Sequence, residues 1–214
     1  MQICYNSDMI KKNQANISYD KIREKLLSNE LEPGERLKET LWSEKLKVNR
    51  ADVRQALARL HGEGLLVSGS KGGFFVRSYT DEEIYEIYEL RAVLEIAAAR
   101  LAIERATEED IRQLKEICDL MTILAVNGYV YGIYEADLRF HSTLIKAAHN
   151  KRLEKTYLSA NLPLTFTKNS TTPKNEMLIK GAAEHVQILE ALINKDLKTI
   201  IYLLTKSLTS KLTQ

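Results

Sequence analysis

Beyond Thr80 the chain gives no strand signal at all. Its apolar residues recur at three- and four-residue steps to the end. Glycine and proline are scarce, and KNSTTPK at 168–174 is the one clear loop. A stretch with a period of 3.6 and no two-residue alternation can bury its apolar face only helix against helix. The second half is therefore expected to be an all-α bundle. Its helices should lie near 80–104, 107–126, 130–148, 151–166, 175–194 and 196–212. Thr80-x-x-Glu83 and Thr107-x-x-Asp110 resemble capping boxes opening two of them, the second with Asp in place of Glu or Gln.

Residues 18–77 follow a different grammar. Ser18 is placed to cap a helix running to Asn29, with Ile22, Leu26 and Leu27 inside. LEPGERL at 31–37 breaks it, because Pro33 and Gly34 form a turn. A short helix is expected at 40–46. Asn49 is placed to cap a third helix from Arg50 to about Glu63, whose inner face is Val53, Ala56, Leu57 and Leu60. LLVSGSKGGFFV at 65–76 reads as a small two-stranded hairpin. Three helices and a hairpin in this order outline a winged helix-turn-helix. The expected domains are 1–78 and 79–214.

The front part carries the signal for nucleic acid. Residues 1–77 hold 14 Lys+Arg against 10 Asp+Glu, whereas the whole chain is only +2. A basic excess there suits a polyanionic partner. Arg50 and Arg54 stand four apart at the start of the third helix, opposite its apolar stripe. A recognition helix presents its first residues to the major groove, where Arg bonds guanine O6 and N7 together. Lys45 and Lys47 fall where a sugar-phosphate backbone would run. Lys71 sits at the hairpin tip between Gly69 and Gly72–Gly73. Taken singly, the arginines also fit an ordinary exposed pair on an amphipathic helix.

The ordered set of motifs resembles the GntR family of bacterial transcriptional regulators. The matching residues are Pro33-Gly34-Glu35-Arg36-Leu37, Val48-Asn49-Arg50-Ala51-Asp52-Val53-Arg54-Gln55-Ala56-Leu57, Leu60, Glu63-Gly64-Leu65 and Gly73-Phe74-Phe75-Val76. The resemblance implies that Arg50 and Arg54 read bases beside Asn49. It also implies that the wing around Lys71, Gly72 and Gly73 touches the minor groove. Asn49 stands in place of the usual Ser or Thr and Lys47 in place of a turn Gly. Asp52 adds an acid expected beside the recognition face.

YELRAVLE (88–95), ADLRFHSTLIKAAHN (136–150) and EHVQILEALINKD (184–196) make the second half similar to the FadR-type branch with its all-α FCD effector domain. The residues themselves support an inward site. Ile133, Asp137, Phe140, His141, Leu144 and Ala148 recur at helical spacing, and His185 lies mid-stripe between Leu178, Ala182, Leu189 and Leu192. Carboxylate and imidazole together suit Zn, Ni, Mn or Fe. Asp137 paired with His141 or an arginine, beside a satisfied core histidine, fits the same pattern. The resemblance implies that Asp137, His141 and His185 hold a divalent metal next to a small carboxylate effector. The family's third metal histidine falls on Ser207, a poorer ligand that is left as an effector contact. Arg91, in line with Ile84, Ile87, Leu94 and Ala98, needs an anion, either Asp137, Glu95 or a ligand carboxylate.

Apolar content of 44% against 28% charged residues supports a packed core. Cys4 and Cys118 have no paired spacing, so neither a disulfide framework nor a cysteine zinc site is expected. No apolar run approaches the ~18 residues of a membrane span, and the N-terminus lacks a signal-peptide core. The expectation is a cytoplasmic regulator, mostly α, with no membrane partner. By resemblance it is a homodimer on an inverted-repeat operator of double-stranded DNA, responsive to a small carboxylate. Two rivals stand beside it: a non-sensing DNA-binding dimer, favoured if Ser207 marks a lost site, and a metal-dependent enzyme. No Ser-His-Asp set or glycine-rich phosphate loop supports the enzyme.

Overall fold

The computed structural model describes residues 7–28, 30–160 and 175–212, with side chains from residue 14 to residue 206 of these. The expected loop at 168–174 and residues 161–166 lie outside the described residues; the helix expected at 151–166 ends at Ser159, with Ala160 as its C-cap. The chain divides into two compact units between Ser78 and Tyr79. Each is taken by itself below.

The N-terminal unit contains α1 (Ser7–Leu27), β1 (Arg36–Leu37), α2 (Glu39–Leu46), α3 (Arg50–Gly62), β2 (Leu66–Ser68) and β3 (Phe74–Val76). Its core gathers Ile22, Leu26 and Leu27 from α1, Trp42 from α2, and Val53, Ala56, Leu57 and Leu60 from α3. Leu37, Leu66 and Val76 close it from the sheet. Burying an aliphatic side chain of this size contributes about 1.5–3 kcal/mol, so the apolar stripes rather than helix propensity hold these short elements.

Two expectations change here. Ser18 caps nothing, because α1 begins at Ser7. Its hydroxyl is buried and donates to the carbonyl of Gln14 one turn back, at 2.9 Å. A Ser mid-helix can satisfy itself in this way, and its sequence looks the same as a cap. The hairpin is also only part of the sheet, whose order is β1-β3-β2, all antiparallel. Gly34, at φ 81°, turns the chain so that its N–H donates to the Val76 carbonyl and the Val76 N–H donates to the Glu35 carbonyl. Two residues are too few for alternation to announce a strand.

The C-terminal unit contains α4 (Asp81–Arg105), α5 (Glu108–Val126), α6 (Val130–Ala147), α7 (Lys151–Ser159), α8 (Asn175–Ile193) and α9 (Leu197–Leu212). No strand occurs among its described residues. Both capping boxes form. Thr80 accepts from the Glu83 N–H while the Glu83 carboxylate accepts from the Thr80 N–H, and Thr107 and Asp110 do the same. α5 packs on α6 and α8, and α4 on α6 and α9. Leu114, Met121, Phe140, Leu144, Leu178, Leu192 and Ile200 share one core. That packing delivers the inner faces of α4, α6 and α8 to a common polar cluster.

Candidate functional site

In the N-terminal unit, Asn49 caps α3, its side chain accepting from the Asp52 N–H at 3.0 Å. Arg50, Arg54, Lys45, Lys47 and Lys71 are all exposed, as are Gly72 and Gly73. Lys47 closes α2 in the left-handed region at φ 55°, where a β-carbon is strained and a glycine is not. Lys45 lies over the Trp42 ring at 4.9 Å. At the wing, Gly69 N–H donates to the Gly73 carbonyl, and Gly72 and Gly73 take φ of 80° and 90°. Asp52 corrects the sequence reading: it is buried rather than beside the recognition face. Its place in the third position after the cap turns it inward with Val53.

Arg54 is not loose. Its Nε and Nη2 donate to Oε1 and Oε2 of Glu39, both at 2.9 Å, tying α3 to the first turn of α2. The hydrogen bond from Arg54 holds the Glu39 carboxyl below its ordinary range. Fifteen residues separate the two, and no spacing rule pointed to this pair.

In the C-terminal unit, Asp137 and His141 of α6 do project inward, and His185 of α8 meets them. His185 Nε2 lies 3.2 Å from Asp137 Oδ1 and 3.3 Å from His141 Nε2. His141 Nε2 lies 3.8 Å from the same Asp137 oxygen. Ligands about 2.0–2.1 Å from one ion at tetrahedral angles stand roughly 3.3–3.4 Å apart, so the triangle has the size of a metal-ligand face. The histidines have their other nitrogens engaged. His185 Nδ1 is 2.8 Å from the Gly181 carbonyl, one turn back, which fixes Nδ1 as the donor. His141 Nδ1 is 3.0 Å from Glu95 Oε2, an ion-pair distance whose alignment falls short of a regular hydrogen bond. Burial, then the nearby Arg91, lowers the pKa of His141, so it stays neutral. His141 Nε2, His185 Nε2 and Asp137 Oδ1 then face one another across 3.2–3.8 Å. Two imidazole nitrogens and a carboxylate oxygen gathered at these separations are donor types that fit a divalent ion.

Arg91 lies on α4, buried to 3% side-chain exposure. Its Nε donates to Glu95 Oε1 at 2.6 Å, with Asp137 Oδ2 3.8 Å from its Nη2. Burial alone would disfavour both charges of the pair, lowering the pKa of Arg91 and raising that of Glu95. The Arg91 guanidinium nevertheless holds Glu95 well below the carboxylate range, and Glu95 keeps Arg91 above its usual value. Tyr157 of α7 completes the arrangement by donating to Glu95 Oε1 at 3.0 Å. The sequence had offered Glu95 only as a counter-ion for Arg91, and Tyr157 not at all. Both come from helices whose spacing to α6 no linear pattern encodes. Ser207 falls on α9, but its side chain lies outside the described residues. His149 is elsewhere: its Nε2 is 2.8 Å from Asp110 Oδ2. Among the described residues, no helix is long and apolar enough to cross a membrane.

Comparison with known proteins agrees with this division. Residues 15–76 match the family described as bacterial regulatory proteins, gntR family, and residues 86–209 match the FCD domain. The Nta operon transcriptional regulator of Aminobacter aminovorans is 35% identical over 144 residues, 66% of this chain and 67% of that protein. An HTH-type transcriptional regulator of Bacillus subtilis (strain 168) is 27% identical, over 83% of this chain and 80% of its own length. The solved structure of E. coli McbR/YncC, 20% identical, shares the fold with a TM-score of 0.71 over 94% of this chain and 95% of that one. The chain belongs to the GntR family, in the branch that carries an FCD domain: it is a DNA-binding transcriptional regulator and not an enzyme.

Proposed function

We propose that the chain is a ligand-responsive regulator whose helical unit senses a small carboxylate through a divalent metal held by Asp137, His141 and His185. The observation that carries this reading is the gathering of ligand atoms of Asp137, His141 and His185 within 4.8 Å of one another, with Gly181 and Glu95 beside the far nitrogens of the imidazoles. Carboxylate and neutral imidazole suit Zn, Ni or Mn. When bound, the ion supplies a positive centre with open coordination positions. Around it the charges are Asp137, Glu95 and Arg91, which leave the cluster one unit negative. A divalent ion makes it one unit positive, which favours an anionic effector. Arg91 sits within 3.8 Å of Asp137 and is placed to meet a carboxylate on that side. Ser207, at the place of a further histidine in the family, leaves a position for effector or water.

The N-terminal unit is read as the operator-binding part. Arg50 and Arg54 contact bases in the major groove with Asn49 setting the helix start, Lys45 and Lys47 contact phosphates, and the wing with Lys71, Gly72 and Gly73 enters the minor groove. The helical unit pairs two chains over an inverted repeat. Exposed Leu90 and Val93 on α4, and Leu120, Ile123 and Val126 on α5, supply apolar surface for that pairing. Effector control requires unequal affinity for the DNA-competent and incompetent arrangements.

Thermal melting with divalent salts, chelator and a panel of small carboxylic acids tests the sensor, followed by operator binding under the same conditions. A metal shift reversed by chelator, enlarged by one acid and coupled to DNA affinity is expected. A melt indifferent to every additive favours the second reading, a non-sensing dimer, which the replacement of a family histidine by Ser207 supports. In a mobility-shift assay Arg54→Ala should abolish sequence-specific binding, and unchanged specificity sinks the assignment of the recognition helix.

A further inference from the structure

We infer that Glu39 is a positioning residue for DNA readout, holding Arg54 in one orientation so that its free edge addresses a guanine. The inference rests on the reading of Arg54 as a base contact. A guanidinium has five N–H donors arranged as two forks. Glu39 occupies the side fork with Nε and Nη2, both at 2.9 Å. Both hydrogens of Nη1 and one of Nη2 stay free at the outer end, and that end fork is the one that spans guanine O6 and N7. Arg54 stays 67% exposed despite the pair, while the Glu39 side chain is only 22% exposed. The carboxylate thus sits below the reading edge rather than covering it.

Stability gives Glu39 only a modest reason to be there, because a single surface ion pair contributes little to folding, most when it is bidentate as here. For a protein that binds a polyanion, a carboxylate on this face is also a cost. Orientation offsets that cost. An unrestrained Arg loses rotamer freedom when it docks, and a side chain already fixed loses less. The first turn of α2 suits the role, since a helix N-terminus stabilises the negative charge and the backbone there is rigid. Arg50 provides a contrast, as it feels the Glu39 charge but makes no hydrogen bond or ion pair to it among the described residues. One arginine of the recognition helix is therefore held by two hydrogen bonds to Glu39 and the other only feels its charge.

The test uses the full chain and duplexes with a randomised core, selected in parallel by the wild type, Glu39→Gln, Glu39→Asp and Arg54→Ala. Glu39→Gln should lose the guanine preference at one position of each half-site while keeping the preference set by Arg50. Its affinity for the wild-type-selected duplex should fall roughly 3- to 10-fold. Binding to a mixed-sequence duplex should be unchanged or tighter, because a negative charge is gone. Melting should fall only slightly, and Glu39→Asp should restore part of the preference. An unaltered guanine preference in Glu39→Gln overturns the inference. Tighter binding of Glu39→Gln to the selected duplex overturns it too, by showing that Glu39 competes with DNA for Arg54. Arg54→Ala separates the two levels: if it keeps the preference, the base-contact reading itself is wrong, and the role of Glu39 falls with it.

Discussion

In the N-terminal unit the arginines that matter stand in solvent, and the best-held of them, Arg54, has a single carboxylate for company. In the C-terminal unit Arg91 is buried with Glu95, and three helices besides its own bring Tyr157, His141, Asp137 and His185 to the same cluster. The contrast suits the partners proposed for the two surfaces. A duplex arrives as a long rigid polyanion, so its contacts can stay hydrated until it docks. An ion or a small acid has to be enclosed, and enclosing charge in a core requires every charged group to be matched beforehand.

The sharpest way to break that contrast is to remove one charge from each unit. Arg91→Ala strands Glu95 in the core and should cost about 3–5 kcal/mol. Arg54→Ala should lower melting far less. Trp42, the one tryptophan, is buried in the N-terminal unit, so its fluorescence follows that unit while helical circular dichroism is dominated by the other. Loss of dichroism before tryptophan fluorescence in Arg91→Ala is the expected result. Equal sensitivity of the two variants would erase the distinction between matched core charges and free surface ones.

Metal comes next in size. At a hundredfold excess over its dissociation constant a bound ion should stabilise the protein by about 2.7 kcal/mol, with chelator reversing the gain. Asp137→Asn and His185→Ala should abolish the shift. Glu95→Gln should weaken metal binding roughly 10- to 100-fold, because Glu95 engages His141 Nδ1. Competition against a chromogenic chelator reads that ratio directly. If Glu95→Gln binds as well as the wild type, the Glu95 contact plays no part in aiming His141.

Two smaller effects sharpen the picture at the edges. Lys47→Gly should stabilise the N-terminal unit by about 0.5–1 kcal/mol, since Lys47 holds a left-handed backbone. If Lys47 also meets a phosphate, the same variant should lower the salt dependence of DNA binding by about one counterion. In the C-terminal unit, burial works against the Asp110 charge, but hydrogen bonds from Thr107 and the His149 contact hold its pKa below the usual value. A depressed carboxyl contributes stability above its unfolded pKa near 3.9, which is lost as pH falls through the lower folded value. Denaturation across that acid range should show a shallower fall for Asp110→Asn.

Much of this protein is written in short-range patterns. The helical stripes of α3, α6 and α8, the two threonine capping boxes, the Asn49 cap and the Arg50–Arg54 step each depend on residues within one or two turns, so they show in the chain itself. The family motifs are linear as well. Asp137, His141 and His185 were legible because a polar residue interrupting an apolar stripe has to face inward. The sequence had no means of saying that Asp52 turns into the core, that Ser18 bonds back to Gln14 inside a longer helix, or that Arg36–Leu37 adds a third strand.

Nor did it pair Glu39 with Arg54, or bring His141 and Tyr157 to Glu95. Helix periodicity decides which face a residue occupies. Only the packing of whole helices decides which two faces meet and at what height, and those pairings fix the orientation of Arg54 and of the His141 ring.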